Sequence, residues 1–311
     1  MGEQTMDDLY PSRREPTPSL LPRHDPVVHG RWAPGAPLSD EQTRFYDTNG
    51  YLVLENVFDP AEIALLQSGS MDLLANPAGL DRETIITERG SDEVRSIFAI
   101  HAQNELLGRL AADSRIAGVA RFLLDDDVYI HQSRLNYKPG FDGKEFYWHS
   151  DFETWHVEDG MPRMRALSMS ILLAENTANN GPLMVIPGSH RKYLTCVGET
   201  PENHYRSSLK KQEYGVPDRE MLTALASDHG IVAPTGKAGT VVLFDCNTMH
   251  GSNGNITPFP RSNAFFVFNA KANSLVEPFG PKSRRPDFIA DRAFTTVDIV
   301  KGPLVRRERA A

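Results

Sequence analysis

Phe146–Pro162 reads FYWHSDFETWHVEDGMP. At its centre His149-Ser150-Asp151 is embedded in aromatic residues: Phe146, Tyr147, Trp148, Phe152 and Trp155. In an extended strand, residues two apart point to the same side. The His149 Nε2 and an Asp151 carboxylate oxygen are therefore expected to face one metal ion, behind a low-dielectric aromatic wall. His-x-Asp alone is a weak signal, since a chain with 10 histidines produces it by chance. A third ligand must come from elsewhere, and His250, read as standing at the end of the apolar strand Thr240–Phe244, is the best candidate. His156, His190, His204 and His229 compete for that place. His156, close in sequence, and His190, in the tight turn PGSHR, are read as structural or supporting residues rather than ligands. Two histidines and one carboxylate on one face of a metal leave the other positions open, which is the arrangement of Fe(II) oxygenases.

Outward from that motif, short β-rich runs separated by Gly, Pro, Asn and Asp dominate: Arg95–His101, Val128–Tyr137, Arg165–Leu173, Leu183–Ile186, Thr240–Phe244 and Ala264–Phe268. Many short strands with turn signals predict a mainly β sandwich or barrel with flanking helices. Ser39-Asp40-Glu41-Gln42 is a capping box whose helix should stop at Asn49-Gly50. Tyr51–Val57 follows as a strand, and Asp59-Pro60 with Glu62 opens a second helix. Further helix is expected near 103–124 and 218–228. Residues 1–38, rich in Pro, Arg and Asp, read as an extended or partly disordered N-terminal arm, with a solvated tail favoured by composition. Residues 39–311 read as a single domain. The polar stretch 197–217 reads as a long surface loop, a length often used for lids or binding.

Composition bounds the function classes. The chain has 311 residues, 40% apolar and 24% charged, with a formal net charge of −8. That acidic balance offers no footprint for nucleic acid or an anionic membrane. No apolar run is long enough to span a bilayer, and the polar N-terminus is not that of a signal peptide. Two cysteines far apart, Cys196 and Cys246, make no disulfide framework, and a cytoplasmic location is expected.

Arg261 follows His250 across the Asn/Gly/Pro-rich turn GSNGNITPFP and begins a β-rich run. A guanidinium there can grip a carboxylate through two parallel hydrogen bonds, and Ser252 can add a hydroxyl donor. 2-Oxoglutarate needs both ends held: one end chelates the metal, and the far carboxylate meets a fixed cation. Such binding leaves a metal position for O₂. Oxidative loss of CO₂ then drives hydroxylation of a C–H bond, and succinate is released.

The order His149-x-Asp151 … His250 … Arg261 resembles the phytanoyl-CoA dioxygenase superfamily. Within it, the string from Trp148 to Pro162 is similar to the signature of the ectoine hydroxylases. DLYPSR (8–13), DPVV (25–28), QSRLNYK (132–138), NNGPLMVIPGSHR (179–191) and FDCNTMHGSNGN (244–255) extend the likeness over nearly the whole chain. The resemblance implies a double-stranded β-helix (jelly-roll, cupin-like) core and Fe(II) held by His149, Asp151 and His250. It implies 2-oxoglutarate contacts from Lys138, Arg261 and Ser252, with Asn136 and Ser168 as further candidates. It implies ectoine contacts from Gln132, Trp155, Phe244 and Phe265, and hydroxylation of ectoine to 5-hydroxyectoine, a compatible solute made under osmotic or thermal stress. A cationic amidine suits aromatic faces, and Gln132 offers a donor and an acceptor. Related enzymes are often dimers, so a homodimer is expected by analogy alone. Competing readings are another small-molecule hydroxylase of the superfamily, a zinc hydrolase on the same triad, and a non-catalytic β-barrel binding protein. Arg261 weighs against the hydrolase, which has no use for an oxoacid clamp.

Overall fold

The computed structural model describes residues 8–304, except 89, 210–213 and 282. Its strands are β1 Leu20–Pro22, β2 Tyr51–Leu54, β3 Ile85–Thr87, β4 Val94–Phe98, β5 Val128–Lys138, β6 Phe146–His149, β7 Ala166–Leu172, β8 Leu183–Val185, β9 Lys192–Leu194, β10 Val241–Asp245, β11 His250–Ser252 and β12 Arg261–Ala270. A seven-stranded sheet runs β2-β10-β7-β12-β5-β4-β3, and a three-stranded sheet runs β6-β11-β8. Together they make the jelly-roll core, mainly β with flanking helices. Every pairing between named strands is antiparallel.

Alternation decides which side chains enter the core and which enter the cavity. On β12, Ala264, Phe266 and Phe268 pack outward under the helices with Leu66, Leu107, Leu110, Ile116 and Leu123. Phe265 and Val267 point the other way, into a second cluster with Phe244 and Trp155. On β5 the alternation switches at one place. Val267 pairs with Gln132 but Phe268 pairs with Ile130, so His131 is the extra residue of a bulge. A one-residue slip flips the facing of everything beyond it. Val128 and Ile130 therefore share the outer core with Leu135, while Arg134, Asn136 and Lys138 face the cavity.

The helices begin where the capping chemistry put them. Ser39 and Gln42 exchange their hydrogen bonds ahead of Asp40–Asn49, which ends on Gly50 at φ 74°. Asp59 and Glu62 do the same ahead of Pro60–Ala75. The strand expected over Tyr51–Val57 stops at Leu54. The run expected as strand over Arg95–His101 ends at Phe98, and a helical turn follows over Ile100–Gln103. The helix expected over 103–124 is two, Glu105–Ala111 and Ala117–Leu124. Asp113 breaks the run: its carboxylate takes the Arg115 backbone N–H at 2.9 Å. Arg219–His229 forms as expected. Among the described residues, no helix is long and apolar enough to cross a membrane.

The N-terminal segment departs from the solvated tail that its composition suggests. From Asp8 it runs extended across the domain, with Tyr10 fully buried and β1 paired to β9. Its charges are consumed by buried partners. Arg13 makes a two-pronged pair with Glu153 (3.0 and 2.7 Å) and reaches Glu158 at 2.7 Å. Arg23 makes another with Asp245 (2.7 and 2.9 Å). Asp8 accepts from His156 Nε2 at 2.8 Å. Arg13→Ala would leave the buried Glu153 carboxylate with neutral partners, the Ser12 hydroxyl and the Cys196 thiol, and no cation on it. Breaking a buried pair in this way costs about 3–5 kcal/mol. Denaturant unfolding of Arg13→Ala should show a loss of that size, and a loss below 1 kcal/mol would mean the arm is not clamped as described.

Candidate metal centre

β6 and β11 lie side by side, with His250 directly opposite His149. The imidazole centroids are 4.2 Å apart. Asp151 Oδ1 lies 3.5 Å from His149 Nε2 and 3.8 Å from His250 Nε2. One ligand atom from each of the three residues falls within 4.8 Å of the others, and all three residues are buried. His250 is thus the third ligand, although it opens its own short strand and does not close the Thr240–Phe244 run. The expected single strand through His149 and Asp151 is also corrected. The strand stops at His149, Ser150 stays extended (φ −102°, ψ 128°), and Asp151 begins a helix. The extended Ser150 alone keeps the two ligands on one side.

The donor set suits a ferrous ion. His149 Nδ1 lies 2.8 Å from the Tyr147 carbonyl and His250 Nδ1 2.9 Å from that of Thr248. A carbonyl only accepts, so each Nδ1 carries the hydrogen and each Nε2 is left with a free lone pair. Burial, then the neighbouring His149, pushes His250 down to about 4, so it is unprotonated at neutral pH. Burial alone would raise the Asp151 carboxyl, but His250, His149 and Arg134 outweigh it and hold it well below the ordinary range. The Ser168 hydroxyl donates to Asp151 Oδ2 at 3.1 Å.

The helix after Asp151 widens over Trp155–Asp159 and ends on Gly160 at φ 75°. No larger residue fits there, because an added Cβ would lie 2.3 Å from the Val276 carbonyl oxygen. This wide turn buries Trp155 against His131, with ring centroids 5.1 Å apart. His156 does not line the metal site. It is held between Asp8 and the Met161 carbonyl. His190 is structural too, with Nε2 3.0 Å from the Asp47 carbonyl.

A cavity opens beside the triad between the two sheets. Of the residues singled out in the sequence, Asn136, Lys138, His149, Phe244, His250, Ser252, Arg261 and Phe265 line it. Gln132, Asp151, Trp155 and Ser168 are not on that lining. The Gln132 amide donates to the Ile289 carbonyl at 2.9 Å, and Ser168 is turned to Asp151. The cavity wall also carries Arg95, Arg134 and Leu209, which the sequence reading passed over. Arg134 had a signal: it alternates with Gln132, Asn136 and Lys138 along one strand face. Leu209 belongs to the 197–217 segment, which contains the helical turn Tyr205–Ser208.

The wall is cationic. Arg95, Arg134, Lys138 and Arg261 all line it, and none of its described lining residues is an acid. Of these four, only Arg95 has a carboxylate partner among the described residues, Glu88 at 2.8 Å. Arg261 sits at the start of β12 opposite Lys138, and its buried Nε has no hydrogen-bond partner. Burial, with Arg95 and Arg134, pulls it down to about 10. Arg134 lies over the Phe265 ring at 4.5 Å, and its Nε is likewise unpartnered. Lys138 Nζ donates to Ser252 Oγ at 3.0 Å and to the Asn253 carbonyl. Arg134 reaches the Gln132 amide oxygen at 3.4 Å, a neutral partner. Buried guanidinium groups without a carboxylate are costly, so this cavity is built to receive anions.

Residues 46–263 match the family model described as phytanoyl-CoA dioxygenase (PhyH). The chain belongs to the phytanoyl-CoA dioxygenase family. It is 67% identical over 301 residues to the ectoine dioxygenase of Sphingopyxis alaskensis, covering 96% of this chain and 98% of that protein. It is 55% identical over 293 residues to the ectoine dioxygenase of Stutzerimonas stutzeri, covering 94% and 97% of the two. Among solved structures it resembles EctD from S. alaskensis with 2-oxoglutarate and 5-hydroxyectoine. The TM-score is 0.89 at 62% identity, over 96% of this chain and 100% of that one. The carbocyclase SnoK, at 20% identity and a TM-score of 0.61 over 88% of this chain and 98% of that one, shares the fold.

His149→Ala and Asp151→Ala should each abolish stoichiometric Fe(II) binding while leaving the far-ultraviolet circular dichroism unchanged. Iron analysis after anaerobic loading reads this directly, and a variant that still holds one iron per chain would remove that residue from the ligand set.

Proposed function

We infer that this chain is a non-haem Fe(II)- and 2-oxoglutarate-dependent dioxygenase that hydroxylates ectoine to 5-hydroxyectoine, releasing succinate and CO₂. One observation carries the reading: the two histidines of a metal-ligating His–Asp–His set line the same cavity as a buried arginine that has no carboxylate partner among the described residues. A zinc hydrolase on the same triad would leave Arg261 unexplained. Bound at the triad, ferrous iron supplies the oxidative chemistry that consumes O₂ and 2-oxoglutarate and places one oxygen atom on the substrate.

The protein's own residues do the rest. In this reading Arg261 takes the far carboxylate of 2-oxoglutarate through two parallel hydrogen bonds, with Lys138, Ser252 and Asn136 around it. Ser168 acts on Asp151, fixing the carboxylate through the oxygen turned away from the two imidazoles. Ectoine carries a carboxylate and a delocalised amidinium. Arg134, unpartnered at its Nε and stacked on Phe265, is assigned the carboxylate. Phe244, Phe265 and Trp155 offer rings to the amidinium, and Gln132 backs the substrate site by accepting from Arg134 through its amide oxygen. The apolar ring wall excludes water, which strengthens each of these contacts. Residues 39–311 form the catalytic domain, with the preceding segment strapped across it. We place the enzyme in the cytoplasm, where its two free, buried cysteines stay reduced, and, by analogy with related enzymes, as a homodimer.

Incubation with Fe(II), 2-oxoglutarate, ascorbate and ectoine should add the mass of one oxygen to ectoine and release one succinate per product. Unmodified ectoine beside a working iron site would leave a different hydroxylase of the family. Arg261→Ala should raise the KM for 2-oxoglutarate at least tenfold and change iron affinity little. If ectoine binding alone weakened, Arg261 would belong to the substrate. Burial, then Arg261 and Arg95, pushes the Lys138 amine down to about 6. A carboxylate beside it raises that value, so the complex binds more protons than the free enzyme at pH above about 6. Affinity for 2-oxoglutarate then falls as pH rises through that window. Titration calorimetry in two buffers of different ionisation enthalpy should show proton uptake at pH 7, absent in Lys138→Met; equal heats for the unaltered enzyme would contradict it.

A further inference from the structure

The two ligand-bearing segments meet through a very short ladder. β11 has three residues, and its register with β6 shifts between His250 and Ser252. That ladder sets His250 against His149 but does not reach Asp151. A second connection runs on the other side of the ligands. The Ser150 hydroxyl, between His149 and Asp151, donates to Asn247 Oδ1 at 2.9 Å. The Phe152 backbone N–H donates to the Cys246 carbonyl at 2.8 Å. Asp151 is thus tethered on both flanks to the turn that leads into His250.

That turn is itself pinned. Asn247 Nδ2 donates to the His190 and Lys192 carbonyls at 3.0 and 2.9 Å. The Asn247 backbone N–H donates to Asp245 Oδ1 at 2.9 Å, and Asp245 is held by both prongs of Arg23. Arg23 spends its remaining donors on the carbonyls of Asp25, Pro26, Met164 and His190. Asn247 is 2% exposed, and every polar atom of its side chain is used. Thr248, next in the chain, supplies the carbonyl that orients His250.

We propose that Ser150 and Asn247 are positioning residues, joined in a hydrogen bond that sets the spacing between the His149–Asp151 pair and His250, with Arg23 and Asp245 holding Asn247 in place. The N-terminal segment therefore acts on the metal site at a distance, through Arg23. This inference rests on the reading of the triad as an iron site. Partners one step removed from a metal commonly change its affinity by roughly 10–100-fold when deleted.

The test is Fe(II) affinity by anaerobic chelator competition, read beside the melting temperature of the metal-free protein. Ser150→Ala deletes one hydroxyl and should lower Fe(II) affinity about tenfold, with a smaller drop in metal-free melting than Asn247→Ala, because one buried acceptor loses its donor. Asn247→Ala should lose at least as much affinity and also melt earlier, because two buried carbonyls lose their donors. The double variant should lose no more affinity than Asn247→Ala alone. Arg23→Lys, which cannot form the two-pronged pair, should weaken iron binding in the same direction. Unchanged affinity in Ser150→Ala, or losses that simply add in the double variant, would overturn the proposal. His149→Ala separates the two readings. If it still binds iron, the triad reading fails; if it does not and Ser150→Ala binds normally, only the positioning role fails.

Discussion

The antiparallel meeting of β6 and β11 is the constraint on which the rest of the molecule depends. It sets His250 against His149 and lets the carboxylate two residues further on close the set. Either imidazole alone is an ordinary buried histidine. Brought together, with each Nδ1 tied to a carbonyl two residues back, they present two lone pairs and one charge to a single point. The large sheet supplies what that point needs: a bulge at His131 that turns Arg134, Asn136 and Lys138 inward, and Arg261 on the neighbouring strand facing Lys138. A ferrous ion held by this set, beside a wall of cations that mostly lack acidic partners, would be complementary to a dianionic oxoacid and a carboxylated substrate.

Stability and function pull against each other in this cavity. Arg134, Lys138 and Arg261 are desolvated without acidic partners, which raises the free energy of the ligand-free fold. The molecule offsets that elsewhere with buried ion pairs whose geometry is fully matched. Arg13 with Glu153 and Glu158, Arg23 with Asp245, and Arg285 with Asp159 (2.7 and 2.6 Å) all brace the segment that carries Asp151 or the turn before His250. Bound anions would relieve the cavity's charge, so co-substrate and folding are coupled through the same side chains.

Local chemistry was legible in the sequence where it acts over a few residues. Both capping boxes, the Gly50 stop and the Asp59-Pro60 start stand where the residue types put them. So did the ligand identities, because aromatic embedding and the His250…Arg261 order narrow the choices. Three features were not legible. The bulge at His131 depends on how β5 pairs with β12, which no local pattern of Val128–Lys138 encodes. The end of the strand at His149 is imposed by the helix that Asp151 begins. The arm's burial depends on acids more than a hundred residues away, so Arg13 and Arg23 look like solvated charges until Glu153 and Asp245 are in place. The resemblance offered Ser168 as a 2-oxoglutarate contact; its hydroxyl donates to Asp151, an arrangement set by strand register that no local pattern encodes.

The most direct test of the convergence is anaerobic titration of the Fe(II)-loaded protein with 2-oxoglutarate, followed by visible absorption. One equivalent per chain should produce the charge-transfer band of an iron-chelated oxoacid. Asp151→Ala should fail to produce it, and Arg261→Ala should require far more 2-oxoglutarate. Absence of the band in iron-loaded, unaltered protein, or a full band in Asp151→Ala, would contradict the account.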